Sequence, residues 1–313
     1  MLRNQTPFLA RQGFERDQHG HSHWVVWLKA TFALGPDGRC RFTAEQVPLQ
    51  QTIELGRHGI PVGGCDVALP RPHCEICLSG HARASARSGG HDTVDRHAVT
   101  VALDEWRKAV TFERDARDRR SASANGEAIR LDGLPSDGIA LEESWRAVGC
   151  GASVLGVVPP ADPSRQAYAG TYDDQWRRTR MPVLPADFDP LHWQETPPDQ
   201  WLPSPPARGS RLTLSGFGGM FGAEYTCELP WLDLRMDTLF KGQWTSAGMR
   251  AQVVRVDTDL QRVSITYCGS MPILAAANDV LVKESIIELR DRSGFAVAAQ
   301  DLETYHDRAR AAP

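Results

Sequence analysis

Three histidines, His19, His21 and His23, stand at alternate positions just ahead of the apolar run that opens at Trp24. On a strand, alternate residues share a face. Three imidazoles on one face could converge on a zinc ion and leave a fourth position open, the arrangement of a metal-dependent hydrolase. The plainer account is a polar approach to the strand, because no carboxylate that would orient the imidazoles is assignable from the sequence.

A second cluster is His73, Cys74, Glu75, Ile76 and Cys77, with His81 nearby. A Cys-x-x-Cys pair with a histidine is half of a structural zinc site, but such sites take four ligands and no second pair follows. On a strand, Cys74 and Cys77 would point to opposite faces, which opposes both chelation and a redox couple. Two small buried residues are the expectation. Nucleophile signals are poor: there is no Gly-x-Ser-x-Gly. The glycines around Leu214–Gly219 and Cys150–Ser153 lack phosphate-loop or dinucleotide spacing. Adjacent acids such as Asp173 with Asp174, or Glu142 with Glu143, read as solvated surface. No cofactor is expected and no catalytic residue is assigned.

The strongest local signal is a stretch in which aromatic residues interleave with prolines and charges, from Gly170 to Asp189. Trp176, Phe188 and Trp193 could pin an irregular segment against sheets. The same segment could present a protein-binding platform, since Trp, Tyr and Arg dominate interface hot spots. The candidate partner-binding residues are Tyr172, Trp176, Arg180, Phe188 and Trp193.

This stretch resembles a bacterial domain-of-unknown-function family encoded beside type VI secretion effectors. The family's signature is matched by Gly170, Thr171, Tyr172, Asp173, Trp176, Arg180, Pro182, Leu184, Pro185, Asp187, Phe188 and Asp189, and Pro197–Gln200 resembles the stretch that follows it. Lys29, Ala30, Thr31, Phe32, Glu45, Gln46 and Pro48 look like the family's opening strand and its later Glu-Gln-x-Pro. Asp66, Pro70, Pro72, Gly80, His81 and Ala82 fit a further region, with Arg71 where lysine is usual. The likeness runs from about Val26 to Pro272. The family's Ala-Phe-Gly-Gly stretch is not clear here. The resemblance implies an adaptor or chaperone that binds a cognate effector protein and helps load it onto the secretion spike, with a spike-tip component as a further partner.

The elements that must position these residues read as strands. Trp24–Leu34 is rich in β-branched and aromatic residues, Gly35–Gly38 supplies turn chemistry, and Cys40–Thr43 starts a return strand. Cys74–Ser79 reads as another strand. Ala98–Leu103 and Ala109–Phe112 read as a hairpin turning at Asp104, with one buried face. From about Ser121 to Pro163 long loops are expected, with a short helix near Leu141–Ala147. Pro182, Pro185, Pro190, Pro197 and Pro198 forbid long helices or central strands up to Trp201. Strands return at Arg211–Ser215, Tyr225–Leu229, Leu232–Met236, Ala251–Val256 and Arg262–Tyr267. Val280–Leu289 fits strand or helix, and a helix is expected from Phe295 to about Arg308. The fold expected is mainly β, with antiparallel sheets or β-sandwich-like modules joined by long irregular connections and few helices. Residues 1–120 form an N-terminal β module, 121–210 an irregular connecting segment carrying the signature, and 211–313 a C-terminal β module.

Size and composition agree with a soluble globular protein. The chain has 313 residues, 41% hydrophobic and 24% charged, with a formal net charge of -4. That balance opposes a phosphate-binding surface, so no nucleic-acid partner is expected. No apolar run approaches the roughly 18 residues a membrane span needs. The polar opening from Met1 to Asp17 has no apolar secretory core, so the expected location is the cytoplasm, with the seven cysteines reduced. A metal-dependent hydrolase and a carbohydrate-binding module using exposed tryptophans are the alternatives to the adaptor.

Overall fold

The apolar run at Trp24 forms the long strand Ser22–Leu34, buried along nearly its whole length. The structure, a computed structural model, describes residues 1–55, 61–84, 94–115, 127–131, 145–148, 155–273 and 282–290. The protein is mainly β, with several antiparallel and mixed sheets. Ser22–Leu34 lies inside a seven-stranded sheet whose main path runs Trp201–Leu202, Cys74–Ser79, Arg250–Asp257, Arg262–Ile273, Ser22–Leu34 and Leu9–Arg16. Cys40–Phe42 pairs with the end of Ser22–Leu34, closing the expected hairpin with Leu34 opposite Cys40. Its turn needs Gly38, which has φ of 73°, and a Cβ there would stand 2.5 Å from the Thr226 carbonyl oxygen. All neighbours on the path are antiparallel except Cys74–Ser79 with Arg250–Asp257, which run parallel.

A five-stranded sheet has the order Arg146–Val148, Trp106–Asp115, Val94–Leu103, Arg211–Ser215 and Glu224–Glu228. Its hairpin turns tightly, with Leu103 opposite Trp106 and Asp104 at φ of 53°. Alternate side chains of these strands are buried, the pattern of a sheet with one wet face. A four-stranded sheet follows the order Leu2–Asn4, Val282–Arg290, Asp233–Phe240 and Gln243–Gly248. The ambiguous run after Val280 is therefore a strand from Val282. Arg146–Val148 is a strand where a helix was expected, because its backbone completes the edge beside Thr111–Glu113. Residues 141–144 and the helix expected from Phe295 lie outside the described residues.

One apolar core joins the three large sheets through side chains such as Leu28, Phe32, Ile76, Val101, Leu212, Met236, Val254 and Ile287. The seven-stranded sheet is buried on its second face as well. There its side chains are largely polar, and that face is met by Gln46, Asp66 and Arg71 and, from the proline-rich stretch, by Gln194, Glu195 and Thr196. That stretch contains only short helical pieces, Pro163–Gln166, Asp174–Thr179, Pro190–Trp193 and Pro198–Gln200, as its prolines require. No helix among the described residues is long and apolar enough to cross a membrane.

Candidate functional site

The signature stretch closes on itself. Gly170 has φ of 76°, and a Cβ there would lie 3.0 Å from the Phe188 nitrogen, so the two arms of the loop meet where a side chain would not fit. Thr171 fastens them: its amide and hydroxyl donate to the Asp187 carboxylate at 2.9 and 2.7 Å. These bonds hold the Asp187 carboxyl below its usual range. Asp173 caps the helix Asp174–Thr179 by accepting from the Trp176 amide at 2.7 Å. The Trp176 indole then donates to the Val183 carbonyl at 2.8 Å. Arg180 donates to the Leu184 carbonyl at 3.0 Å and to the Gln18 carbonyl at 2.7 Å. Asp189 caps the turn Pro190–Trp193 through the Leu191 amide.

The five candidate partner-binding residues thus separate into roles. Phe188 is buried and packs on Trp193 at 5.4 Å between ring centroids. Trp193 lies half-buried against the cluster of Val25, Trp27, Leu69 and Cys268. Arg180 ties the loop to the turn that carries the histidines. Tyr172 is 49% exposed and meets Trp176 edge-on at 4.7 Å. Met181, 61% exposed, donates its amide to the Trp176 carbonyl. Tyr172 and Met181 thus expose apolar area beside the half-buried Trp176, on a loop whose backbone is fixed from inside. Burial, with the Asp187 charge beside it, pushes the Tyr172 phenol up, so it remains a hydrogen-bond donor.

The three histidines surround a carboxylate. Asp17 Oδ1 accepts from the His19 and His21 amides, each at 2.9 Å, and Oδ2 lies 3.4 Å from His21 Nδ1 and 3.2 Å from His23 Nε2. His23 Nδ1 also meets the Ser270 hydroxyl at 3.3 Å. Burial raises the Asp17 carboxyl, but the His23 and backbone bonds outweigh it and the net shift is downward. Among the described residues, no group of three or more His, Cys, Asp and Glu has metal-holding geometry. Cys74 faces the main core and Cys77 the other side, in a small cluster with Val157 and Val253. Burial pushes the Cys74 thiol up to about 12.

Beneath the proline-rich cover lies a set of buried charges. Two cross-strand rows build it. Glu75, Val253, Thr266 and Lys29 are successive partners across four strands, and Cys77, Arg255, Ser264 and Thr31 form the next row. Lys29 pairs with Asp66, whose other oxygen accepts from the Thr266 hydroxyl at 2.8 Å. The Asp66 oxygen facing Lys29 also accepts from the Gln50 amide. Glu75 pairs with Arg71 through one oxygen. Its other oxygen accepts from the Gln194 side chain, the Glu195 amide, and the Thr196 amide and hydroxyl. Glu195 lies 3.3 Å from Arg71 and accepts from the Cys65 amide at 2.7 Å. Gly64 completes the fit, because a Cβ there would collide with the Glu195 carboxylate. Gln200 donates its amide to the Ile76 and Leu155 carbonyls and accepts from Lys108. The charges therefore clamp the irregular stretch onto the sheet. Sequence reasoning did not single out this set as a site. Its signal was a lysine inside the apolar run Val25–Leu34 and a glutamate between Cys74 and Ile76, since a charge inside a buried strand demands a partner.

Compared with protein-family models, residues 19–115 and 141–268 match one described as an uncharacterized protein conserved in bacteria (DUF2169). No curated protein and no solved structure matches the chain.

Proposed function

Since the chain belongs to this bacterial family, we propose that it is a non-enzymatic protein-binding adaptor or chaperone that holds a type VI secretion effector for loading onto the spike. The observation that carries this is the exposed Tyr172 ring set edge-on to the half-buried Trp176, with the exposed Met181 nearby, on a loop fastened by Gly170, Thr171, Asp173 and Arg180. Aromatic side chains on a rigid support lose little conformational freedom on binding, which favours affinity. The resemblance of the signature supplies the nature of the partner.

The test is co-purification of the tagged protein with the effector encoded beside its gene. Wild type retains the effector. Tyr172→Ala, which removes a surface ring and none of the fastening bonds, loses most of it while its melting temperature stays unchanged. Failure of wild type to retain the effector, or full retention by Tyr172→Ala, overturns the respective half of the proposal.

A further inference from the structure

Every sheet edge exposes a row of backbone donors and acceptors that another strand can pair with, and proteins blunt such edges with charges, prolines or shortness. The described edges of the large sheets mostly follow this rule. Leu9–Arg16 carries Arg11, Glu15 and Arg16; Glu224–Glu228 carries a glutamate at each end. Leu2–Asn4, Arg146–Val148 and Trp201–Leu202 are three residues or fewer. Gln243–Gly248 departs from it. It is six residues long, exposed at all but Ala247, and contains no charge and no proline. It pairs on one side with Asp233–Phe240 in unbroken register from Gln243 to Gly248. Among the described residues no backbone hydrogen bond reaches its other side.

The strand has further features of a docking edge. Trp244 is 52% exposed. It pairs with Leu239 and lies on the same face as Ser246, whose hydroxyl is held by Asp237. The opposite edge of this sheet is already completed by an added strand, Leu2–Asn4, running parallel to Val282–Arg290. Just outside the strand stand two exposed cations, Lys241 before it and Arg250 after it, the latter also donating to the Pro72 carbonyl at 3.3 Å.

We propose that Gln243–Gly248 is a strand-addition site for an extended segment of a partner protein that has an uncharged centre flanked by acidic residues. Main-chain hydrogen bonds would supply the affinity, Trp244 a side-chain contact, and Lys241 and Arg250 the selection for acidic flanks. A second copy of this chain fits less well. Two-fold pairing centred between Thr245 and Ser246 sets Lys241 of one copy against Arg250 of the other at both ends, and like charges opposite one another are destabilising. The site is independent of the Tyr172 loop and stands or falls separately from it.

The probe is a short fluorescein-labelled peptide of alternating Thr and Val with Glu at both ends, compared with the same peptide flanked by Lys. Both are titrated against the full chain by fluorescence polarisation. The Glu-flanked peptide binds more tightly, roughly tenfold, the ratio that about 1.4 kcal/mol produces. The double variant Lys241→Glu with Arg250→Glu reverses that preference; it also removes the bond Arg250 donates to the Pro72 carbonyl, so its melting temperature is checked alongside. Neighbouring variants Thr245→Pro and Ser246→Pro separate the two edges, because adjacent residues point their N–H groups in opposite directions. The one that keeps the wild-type melting temperature abolishes binding, and bound peptide slows amide exchange at 243–248. Absence of binding by either peptide, or a preference unchanged by the charge reversal, overturns the proposal. A concentration-dependent dimer in light scattering that the proline variant abolishes assigns the edge to a second copy and overturns it equally.

Discussion

The Lys29 ammonium lies 2.7 Å from the Asp66 carboxylate, and the two side chains are 2% and 0% exposed. Removing both charges from water is expensive, and the pair is sustained by what surrounds it. Asp66 also accepts from Thr266 and from the Gln50 amide, and Lys29 donates to the Pro48 carbonyl. Burial draws the Lys29 pKa down against the pull of Asp66. Burial pushes Asp66 up, but Arg255 and Lys29 together outweigh it and hold the carboxyl below its usual range. Asp66→Ala leaves Lys29 buried without its partner and is expected to cost about 3–5 kcal/mol. Lys29→Met is expected to be costly for the mirror reason. The double variant should cost clearly less than the two single costs added, as measured by urea unfolding. Simple additivity would show that the two charges do not depend on each other.

The same pair gives stability a pH dependence. The folded-state pKa of Asp66 lies below its unfolded value of about 4. Its stabilising contribution is therefore complete above about pH 4 and is lost as pH falls through the folded value. Lys29 has the opposite sign: its lowered pKa penalises the fold in full below the folded value, and that penalty shrinks as pH rises above the folded value and is gone above the unfolded value of about 10.4. Between pH 5 and pH 2, unfolding free energy should fall more steeply for wild type than for Asp66→Asn. Parallel curves would remove Asp66 from the acid transition.

Glu75 holds the irregular stretch by four bonds to a single oxygen. Glu75→Ala should release that stretch before the sheet unfolds. Amide exchange at Glu195 and Thr196 should rise while that of Val254 and Ile265 stays slow, as for a locally opening unit. Glu75→Gln, which keeps an acceptor oxygen, should show a smaller rise. Equal acceleration across all four amides would mean that Glu75 supports the whole fold and not this one contact.

Within the signature, structural and surface residues should respond differently. Gly170→Ala forces a Cβ into a left-handed backbone and is expected to cost about 1–2 kcal/mol, with the tight approach to Phe188 adding to it. Asp173→Ala removes a helix cap and is expected to cost about 1 kcal/mol. Tyr172→Ala should stay within about 0.5 kcal/mol of wild type. Thermal and urea unfolding of the three variants rank them, and a Tyr172→Ala cost equal to that of Gly170→Ala would make Tyr172 a structural residue.

Much of the local structure was legible because strands carry their own record. The run Trp24–Leu34, the turn at Asp104 and the alternation of Ala98–Phe112 each depend on neighbours close in sequence, and each appears as expected. The period of two also placed Cys74 and Cys77 on opposite faces. The stretch Leu141–Ala147 misled because Arg146–Val148 is a strand only by virtue of the edge of Trp106–Asp115 beside it. Within the signature, the pattern showed a special segment but not which aromatic side chains face water. Phe188 and Tyr172 look alike on paper, and only packing buries one and exposes the other.

By itself, the sequence determined many of the longer strands, their turns and the stretch that prolines keep irregular, since these follow from backbone preferences and side-chain period; Leu2–Asn4, Leu9–Arg16 and Gln243–Gly248 are more polar and carry no such signal. Tertiary structure alone decided which strands pair: Cys74–Ser79 beside Arg250–Asp257, and Val94–Leu103 beside Arg211–Ser215. Periodicity tells which face of a strand is buried and nothing of the strand that will lie against it. The clamp of Lys29, Asp66, Arg71, Glu75 and Glu195 exists for the same reason. Its members are ordinary polar residues along the chain and become a network only when distant strands bring them together in a place that water does not reach.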